Sequence, residues 1–183
     1  MTDFLQDHPS GWVVSMDQMS LYFQATTTRV WSPVGQTPQV WVTPQRRCQH
    51  FYGALNLRTG QDIVLPLPAQ TSDMTCHFLV HLLTCLPEQP ILLLLDRAPW
   101  HRGAPLQRLL ADHPRLELLY FPPACPDLNP QEHVWELTRD AISHNHSRTD
   151  FGDLCTAFLD HLDCTLFPIN WLSRYAPPAL YEL

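Results

Sequence analysis

Apolar residues in the first third of the chain follow the short, interrupted runs that are typical of β-strands. Residues 11–17 (GWVVSMD) are largely apolar and end in an acid, and residues 21–23 extend this segment. Residues 29–42 contain two tryptophan-bearing stretches around SPVGQTP, a pattern that favours a hairpin. Residues 48–57 and 62–67 form two further candidate strands, separated by the turn sequence RTGQ. The sequence therefore predicts an antiparallel meander in this region.

The apolar spacing becomes helical after residue 70. Between Thr71 and Leu86, apolar side chains recur every three or four positions, which predicts a helix that Thr71 or Ser72 caps. Residues 91–95 form a continuous apolar run, as in a strand that is covered on both faces, and residues 116–121 form a second buried strand. Three more helices are predicted: residues 104–110, residues 130–142 with Asn129 as the cap and Pro130 at the first position, and residues 151–166.

This order of elements predicts the fold class. Strands come first, and strands and helices then alternate, which favours an α/β fold with a mixed sheet and helices on both faces. The chain has 183 residues, so we expect a single domain over residues 1–183.

Composition and charge narrow the possible functions. The net charge of −7 excludes a free-standing basic nucleic-acid binder, and 18 prolines against 6 glycines argue against a glycine-rich phosphate loop. The six cysteines form no C-x-x-C pair, so we expect reduced thiols and a cytoplasmic location. The longest aliphatic run, residues 91–95, is far too short to cross a membrane.

Three carboxylates occupy positions where an active site can form. Asp17 ends the first predicted strand, Asp96 follows the most buried strand, and Glu132 lies in the first turn of the helix after the proline-rich loop. If the Asp17 strand and the strand before Asp96 are neighbours in the sheet, their acids meet at one sheet edge. Clustered carboxylates need a cation, and Mg²⁺ prefers oxygen ligands of this kind. Each acid also has a structural interpretation: Asp17 and Asp96 as turn or cap residues, and Glu132 as the acid of a capping box with Asn129.

Several segments that surround these acids resemble one enzyme family. The segments SMDQM, FYGALNLRTG, ILLLLDRAPWHRG and LLYFPPACPDLNPQEHVWELTRD are similar to the catalytic domain of bacterial insertion-sequence transposases of the mariner-related DDE superfamily. The resemblance covers about residues 12–167, and its most specific part is residues 122–135. The 35 residues between Asp96 and Glu132 are close to the spacing of the second and third acids in this family.

The resemblance implies a ribonuclease-H-like fold with a mixed five-stranded sheet, and a metal-dependent DNA transposase or endonuclease. It assigns Asp17, Asp96 and Glu132 as catalytic residues and as ligands of two Mg²⁺ or Mn²⁺ ions. The expected reactions are cleavage of DNA at the ends of the element and strand transfer into target DNA. Arg97, His101 and the loop residues Arg46 and Arg47 are the candidate DNA contacts.

Two residues depart from the family pattern and leave alternatives open. Gln18 stands where many relatives have an acid, and Arg97 stands where asparagine commonly follows the second Asp. The Arg97 guanidinium either pairs with Asp96 and competes with the metal, or points away toward a DNA phosphate. A catalytically impaired or domesticated remnant that binds DNA or protein is therefore the alternative function.

The expected partners follow from the same resemblance. About a dozen residues precede the Asp17 strand, too few for a helix-turn-helix module, so we expect that module to be absent here. A separate or frameshift-fused module would then recognise the element ends. Relatives act as dimers, which makes a homodimer on DNA the expected assembly.

Overall fold

The computed structural model describes residues 1–40, 42–86, 88–123, 125–167 and 171–175, without the side chains of Pro126 and Tyr175. Five strands and six α-helices make up the described part. The strands are β1 (Trp12–Tyr22), β2 (Cys48–Asn56), β3 (Asp62–Leu67), β4 (Ile91–Leu95) and β5 (Leu116–Tyr120), and the helices are α1 (Thr2–Asp7), α2 (Ser72–Cys85), α3 (Ala104–Asp112), α4 (Pro130–Thr138), α5 (Phe151–Cys164) and α6 (Trp171–Tyr175).

The five strands form one mixed sheet in the order β3-β2-β1-β4-β5. β1 pairs antiparallel with β2, and β2 pairs antiparallel with β3, which confirms the predicted meander. β1 also pairs in parallel with β4, placing Ser15 opposite Leu94. The first strand and the most buried strand are therefore neighbours and run in the same direction, as the prediction of a shared edge requires.

Helices cover both faces of this sheet. Successive strand residues point to opposite sides, so each strand contributes to a core on both faces. On β1, Val13 belongs to the core under α5, whereas Val14 belongs to the core under α2. On β4, Leu92 and Leu94 point to the first core, and the alternate residues of the strand point to the second. The prediction of an α/β sheet with helices on both faces is confirmed.

The predicted caps form as the sequence indicates. The Thr71 side chain accepts a hydrogen bond from the Met74 amide at 3.2 Å and caps α2. The Asn129 side chain accepts from the Gln131 amide at 3.2 Å and caps α4, and Pro130 occupies the first helical position. Both caps satisfy amides that a helix start otherwise leaves without partners.

The predicted hairpin at residues 29–42 is wrong for the residues that the structure describes there; Trp41 lies outside them. These residues form no strand ladder and lie almost entirely exposed to solvent, with Trp31 and Val34 fully exposed. The turn at Pro33 does form, because the Gln36 amide donates to its carbonyl at 3.0 Å, but no facing apolar pair stabilises flanking strands.

The helix ends also differ from those that the apolar periodicity predicts. The helix predicted to run to residue 142 is α-helical only to Thr138 and continues as a π-helical turn over Arg139–Ser143. The short helices α1 and α6 were not predicted. The cysteines are free thiols, and none of the helices in the described ranges is long and apolar enough to cross a membrane.

Candidate active site

Three acids from different parts of the chain line one cavity of about 370 Å³ at the edge where β1 and β4 run side by side. Asp17 lies within β1, which continues to Tyr22, so the prediction that Asp17 ends the strand is wrong. Asp96 directly follows β4, and Glu132 lies in the first turn of α4. The wall of this cavity also includes Arg97 and part of the proline-rich loop. The acids of the sequence hypothesis thus meet in space.

Asp17 is the most deeply placed of the three acids, with 8 % of its surface exposed. The indole Nε1 of Trp135 donates a hydrogen bond to its Oδ2 at 3.1 Å. Burial raises the pKa of Asp17 to about 8, and repulsion from Glu132 and Asp96 adds to this effect. A carboxyl group in this state carries a proton at neutral pH unless a positive charge compensates it.

The pKa of Asp96 is shifted in the opposite direction from that of Asp17, although both acids line the same cavity. Its Oδ1 accepts hydrogen bonds from His101 Nδ1 at 2.6 Å and from the Ala98 amide at 3.0 Å. The hydrogen bond from His101 lowers the pKa of Asp96 more than burial raises it. Asp96 is therefore an ionised carboxylate held in a fixed orientation at neutral pH.

Glu132 faces the cavity instead of closing a capping box. Within the described residues its carboxylate forms no hydrogen bond, and only its backbone amide contacts Asn129. Burial raises the pKa of Glu132, with Arg139 acting in the opposite direction and the neighbouring acids adding to the rise. The structural interpretation of Glu132 as a capping acid therefore finds no support in its side-chain contacts.

A buried polar contact fixes α4 against β1. Ser15 Oγ donates to Asn129 Oδ1 at 2.7 Å, and both side chains are buried. Gln131 extends the contact by accepting from the Leu55 amide at 2.8 Å and donating to Asp62 Oδ2 at 2.9 Å. Because these bonds tie the start of α4 to three strands, they determine where its first-turn acid stands.

Arg97 does not pair with Asp96. Its Nε donates to the Phe121 carbonyl at 3.2 Å, and its guanidinium lies 6.0 Å from the centre of the Tyr120 ring. Among the described residues, the ion pair of Asp96 is the one with His101. The alternative in which Arg97 blocks the acid is therefore wrong for this structure, and Arg97 stays a predicted DNA contact at the cavity wall.

His101 does not fit the expectation of direct DNA contact. Its side chain is fully buried, and its two ring nitrogens contact Asp96 and Gln18. No part of the ring faces solvent, so a DNA strand cannot reach it in this arrangement. The role of His101 lies instead in its contact with Asp96.

Arg46 and Arg47 lie in a different place from the three acids. Both are exposed and line a separate cavity of about 720 Å³ next to the start of β2. The Arg47 guanidinium also stacks over the Phe151 ring at 4.9 Å. Their contact with DNA stays a prediction.

Two residues that shape the cavity, Trp135 and Gly53, were not predicted from the sequence, and neither were the contacts of Gln18. Trp135 donates to Asp17, and its position one turn after Glu132 on the same helix face was an available signal. Gly53 faces Asp17 across the β1–β2 ladder, and a Cβ there would lie 2.5 Å from Trp135. Gln18 contacts both Trp100 and His101 across a separation of more than 80 residues, which no local pattern indicates.

The acids fit a divalent cation in chemistry and charge. Carboxylate oxygens are the ligands that Mg²⁺ and Mn²⁺ prefer, and Mg²⁺ commonly binds through one or two carboxylates with waters and substrate phosphates completing its shell. In the described ranges, no three acidic, histidine or cysteine side chains stand close enough to enclose an ion by themselves. The cavity therefore suits a cation that shares its ligands with a phosphate substrate, rather than a closed structural site.

The fold and the acidic cavity define a DDE-type endonuclease domain. Residues 12–155 match the family described as DDE superfamily endonuclease, and the chain belongs to this family. The match contains Asp17, Asp96 and Glu132.

Two bacterial proteins are similar in sequence. One is "Uncharacterized protein y4pE/y4sA" of Sinorhizobium fredii, 30% identical over 108 residues, which are 58% of this chain and 77% of that protein. The other is "Insertion element IS630 uncharacterized 39 kDa protein" of Shigella sonnei, 25% identical over 149 residues, which are 81% of this chain and 43% of that protein.

Solved structures of Mos1 transposase share the fold. The Mos1 paired-end complex with the left transposon end aligns with a TM-score of 0.70 at 15% identity, over 93% of this chain and 53% of that one. The Mos1 mariner paired-end complexes with Mn and with Mg align with TM-scores of 0.66 and 0.64, over 93% and 98% of this chain and 53% and 54% of those. The predicted ribonuclease-H-like fold is confirmed, and the chain spans about half the length of these transposases.

Proposed function

We propose that this domain cleaves DNA at the ends of a mobile element and transfers the freed strand into target DNA, using two Mg²⁺ or Mn²⁺ ions. Asp17, Asp96 and Glu132 are the proposed catalytic residues and metal ligands. The observation that carries the proposal is that these three acids line one cavity, where Glu132 and Asp96 raise the pKa of Asp17 and Asp96 raises the pKa of Glu132. The family match and the solved metal complexes of Mos1 transposase support the choice of reaction and of cation.

The proposed reaction consists of two displacements at phosphorus. In the first, a water oxygen attacks a backbone phosphate and the P–O3′ bond breaks, which leaves a 3′-hydroxyl and a 5′-phosphate. In the second, that 3′-hydroxyl attacks a phosphate of the target, and a target 3′-hydroxyl leaves. Bound divalent cations supply positive charge at the attacking and leaving oxygens.

The chain's own residues prepare the cavity for this chemistry. Asp96 is held ionised and fixed by His101 and the Ala98 amide. Trp135 holds one oxygen of Asp17, and the contact between Ser15 and Asn129 fixes the helix that carries Glu132. A rigid arrangement of acids avoids reorganisation when the phosphate arrives.

The test is Mn²⁺- or Mg²⁺-dependent cleavage of DNA that carries the element ends, with Glu132→Gln compared with Glu136→Gln. The two acids lie one turn apart on α4, but Glu132 lines the cavity and Glu136 is 68% exposed and pairs with His133. We expect Glu132→Gln to lower the cleavage rate by at least about a hundredfold and Glu136→Gln to change it by less than about threefold. Equal effects of the two substitutions would contradict the assignment, and products that are cut but never joined would limit the function to a nuclease.

The proposed function also requires partners for this domain. We propose that residues 1–183 form the catalytic unit and that a separate or frameshift-fused helix-turn-helix module recognises the element ends. Arg46, Arg47 and Arg97 are proposed contacts to DNA phosphates, since the first two are exposed and the third lines the cavity. A homodimer on paired ends is the proposed assembly, and the size of the DNA-bound complex in solution tests it.

A further inference from the structure

We infer that Trp171 is a positioning residue, which holds the two ends of the proline-rich loop (residues 121–129) together and thereby shapes the cavity wall that binds DNA. The inference rests on the proposed function, in which a DNA strand enters this cavity. Trp171 belongs to α6, which follows all three acids in the chain.

The proline-rich loop forms one wall of the cavity. It supplies Phe121, Pro122, Pro123 and Cys125 to that wall. The three acids line the same cavity, so a DNA strand that reaches them lies against this loop. The position of the loop therefore affects how tightly the strand binds.

The loop has limited means of holding its own backbone in place. Its residues 122, 123 and 126 are prolines, which have no amide hydrogen to donate. The Leu128 amide donates to the Cys125 carbonyl at 3.1 Å, but this bond joins near neighbours and does not connect the loop to other elements. Contacts from outside the loop must therefore fix its position.

Trp171 contacts both ends of the loop. Its indole Nε1 donates to the Leu128 carbonyl at 2.9 Å, and its ring meets the Phe121 ring edge-on, with centroids 6.4 Å apart. Phe121 directly follows β5, and Leu128 directly precedes Asn129, the cap of α4. One side chain thus bridges the start and the end of the loop.

The core of the fold holds Trp171 in place. Its neighbour Leu172 is buried in the core that also contains Phe121, and Trp171 packs against the same core. The start of α4 has a separate anchor, because Ser15 donates to Asn129. Loss of the Trp171 contact should therefore displace the loop while the first turn of α4, with its catalytic acid, keeps its place.

The test removes the indole N–H and keeps an aromatic ring. Trp171→Phe loses the hydrogen bond to Leu128. Incorporation of 3-benzothienylalanine in place of Trp171 loses it with almost no change of shape, and this variant serves if Trp171→Phe does not fold. Trp12→Phe is the matched control, since within the described residues the buried Trp12 indole nitrogen forms no hydrogen bond, and its ring packs against the other core.

The first readout is the alkylation rate of each cysteine by iodoacetamide, measured by mass spectrometry on the full chain without metal or DNA. Cys125 lies in the loop and is half-buried. We expect Trp171→Phe to speed its alkylation by about threefold or more, because the loop opens more often once the bond is lost. Cys76 on α2 and Cys155 on α5 are also half-buried and should keep their wild-type rates.

The second readout separates KM from kcat in Mn²⁺-dependent cleavage. We expect Trp171→Phe to raise KM for DNA by about threefold or more, with kcat within about twofold of the wild type, since the loop binds the strand while the acids keep their places. A merely structural role would lower the fraction of active molecules, and with it the apparent kcat, but would leave KM unchanged. Trp12→Phe should keep the wild-type KM and the wild-type Cys125 rate.

The outcomes separate this inference from the proposed function. A wild-type Cys125 rate in the Trp171 variants overturns the inference, as does an equal acceleration of Cys76, Cys125 and Cys155, which would report a general loss of stability. An unchanged KM overturns it as well. If the wild type never cleaves DNA, the proposed function fails, whereas faster Cys125 alkylation together with weaker DNA binding by the variant still upholds the inference.

Discussion

Asp17 and Asp62 are two buried acids of the same sheet, with 8 % and 5 % of their surfaces exposed. Burial raises the pKa of both, to about 8 for Asp17 and to about 7 for Asp62. Their surroundings nevertheless differ. Asp17 opens onto a cavity and is repelled by two further acids, whereas Asp62 is enclosed and receives a hydrogen bond from Gln131 at 2.9 Å.

A raised pKa alone therefore does not identify an active site. In Asp62, the shift reflects a carboxyl that the fold has enclosed and partnered with a neutral amide. In Asp17, the same shift accompanies a position at the wall of a cavity and converging negative charge, and these two features call for a cation. We therefore assign chemistry to Asp17 and a structural role to Asp62.

The largest expected effect is the difference in DNA cleavage between two variants, Asp17→Asn and Asp62→Asn. Asp17→Asn removes a proposed metal ligand, so we expect DNA cleavage to fall by at least about a hundredfold. Asp62→Asn keeps an acceptor for Gln131, so we expect cleavage within about threefold of the wild type. The measurement is the initial rate of metal-dependent cleavage for folded variants at one pH, and comparable losses in both would break the distinction.

Gly53 lies on β2, between the strands that carry the two acids, and its substitution offers a way to disturb both. A Cβ at this position would stand 2.4 Å from Gln131 Nε2 and 2.5 Å from Trp135, the residues that donate to Asp62 and Asp17. We expect Gly53→Ala to lower the free energy of unfolding by about 1–3 kcal/mol, because well-packed neighbours must move. Chemical denaturation measures this loss, and an unchanged midpoint would contradict the close packing.

Asp62 is also expected to make the stability of the fold depend on pH. The folded state binds the Asp62 proton more tightly than the unfolded state, whose pKa is near 3.8, so stability falls as pH rises from about 4 to about 7. Asp62→Asn cannot titrate. We expect it to be more stable than the wild type at pH 8 by at least about 1 kcal/mol, with the gap closing toward pH 4.

The matched control for this pH series is Asp160→Asn, because Asp160 lies exposed on α5 and is not among the groups that shift the pKa of Asp62. Its unfolding curves should follow the wild type at every pH. Parallel pH curves for Asp62→Asn and the wild type would show that Asp62 is not the buried acid that the structure describes.

Much of the fold could be predicted because local patterns determine it. The continuous apolar run of β4 indicated a strand covered on both faces, and Asn129 followed by Pro130 indicated the start of α4. The loop over residues 29–40 could not be predicted, since turn residues and tryptophans resemble a hairpin whether or not a partner strand exists.

The site was predictable only in part. The three acids stand at positions that strand ends, a helix start and the family resemblance all indicate, although β1 continues beyond Asp17. The contacts that orient them, from Trp135 and through Gln18, join residues more than 80 positions apart. Such pairs depend on how elements pack, and a single sequence carries no periodic signal of them.

The proposed function requires that Asp17, Asp96 and Glu132 hold divalent cations together. Anomalous diffraction from crystals grown with Mn²⁺ tests it most directly, because it locates the ion without reference to activity. We expect peaks in the cavity of about 370 Å³, within coordination distance of oxygens of these acids, and no peak at Asp62. Mn²⁺ bound elsewhere while the cavity stays without a peak, at concentrations that saturate cleavage, would contradict the account.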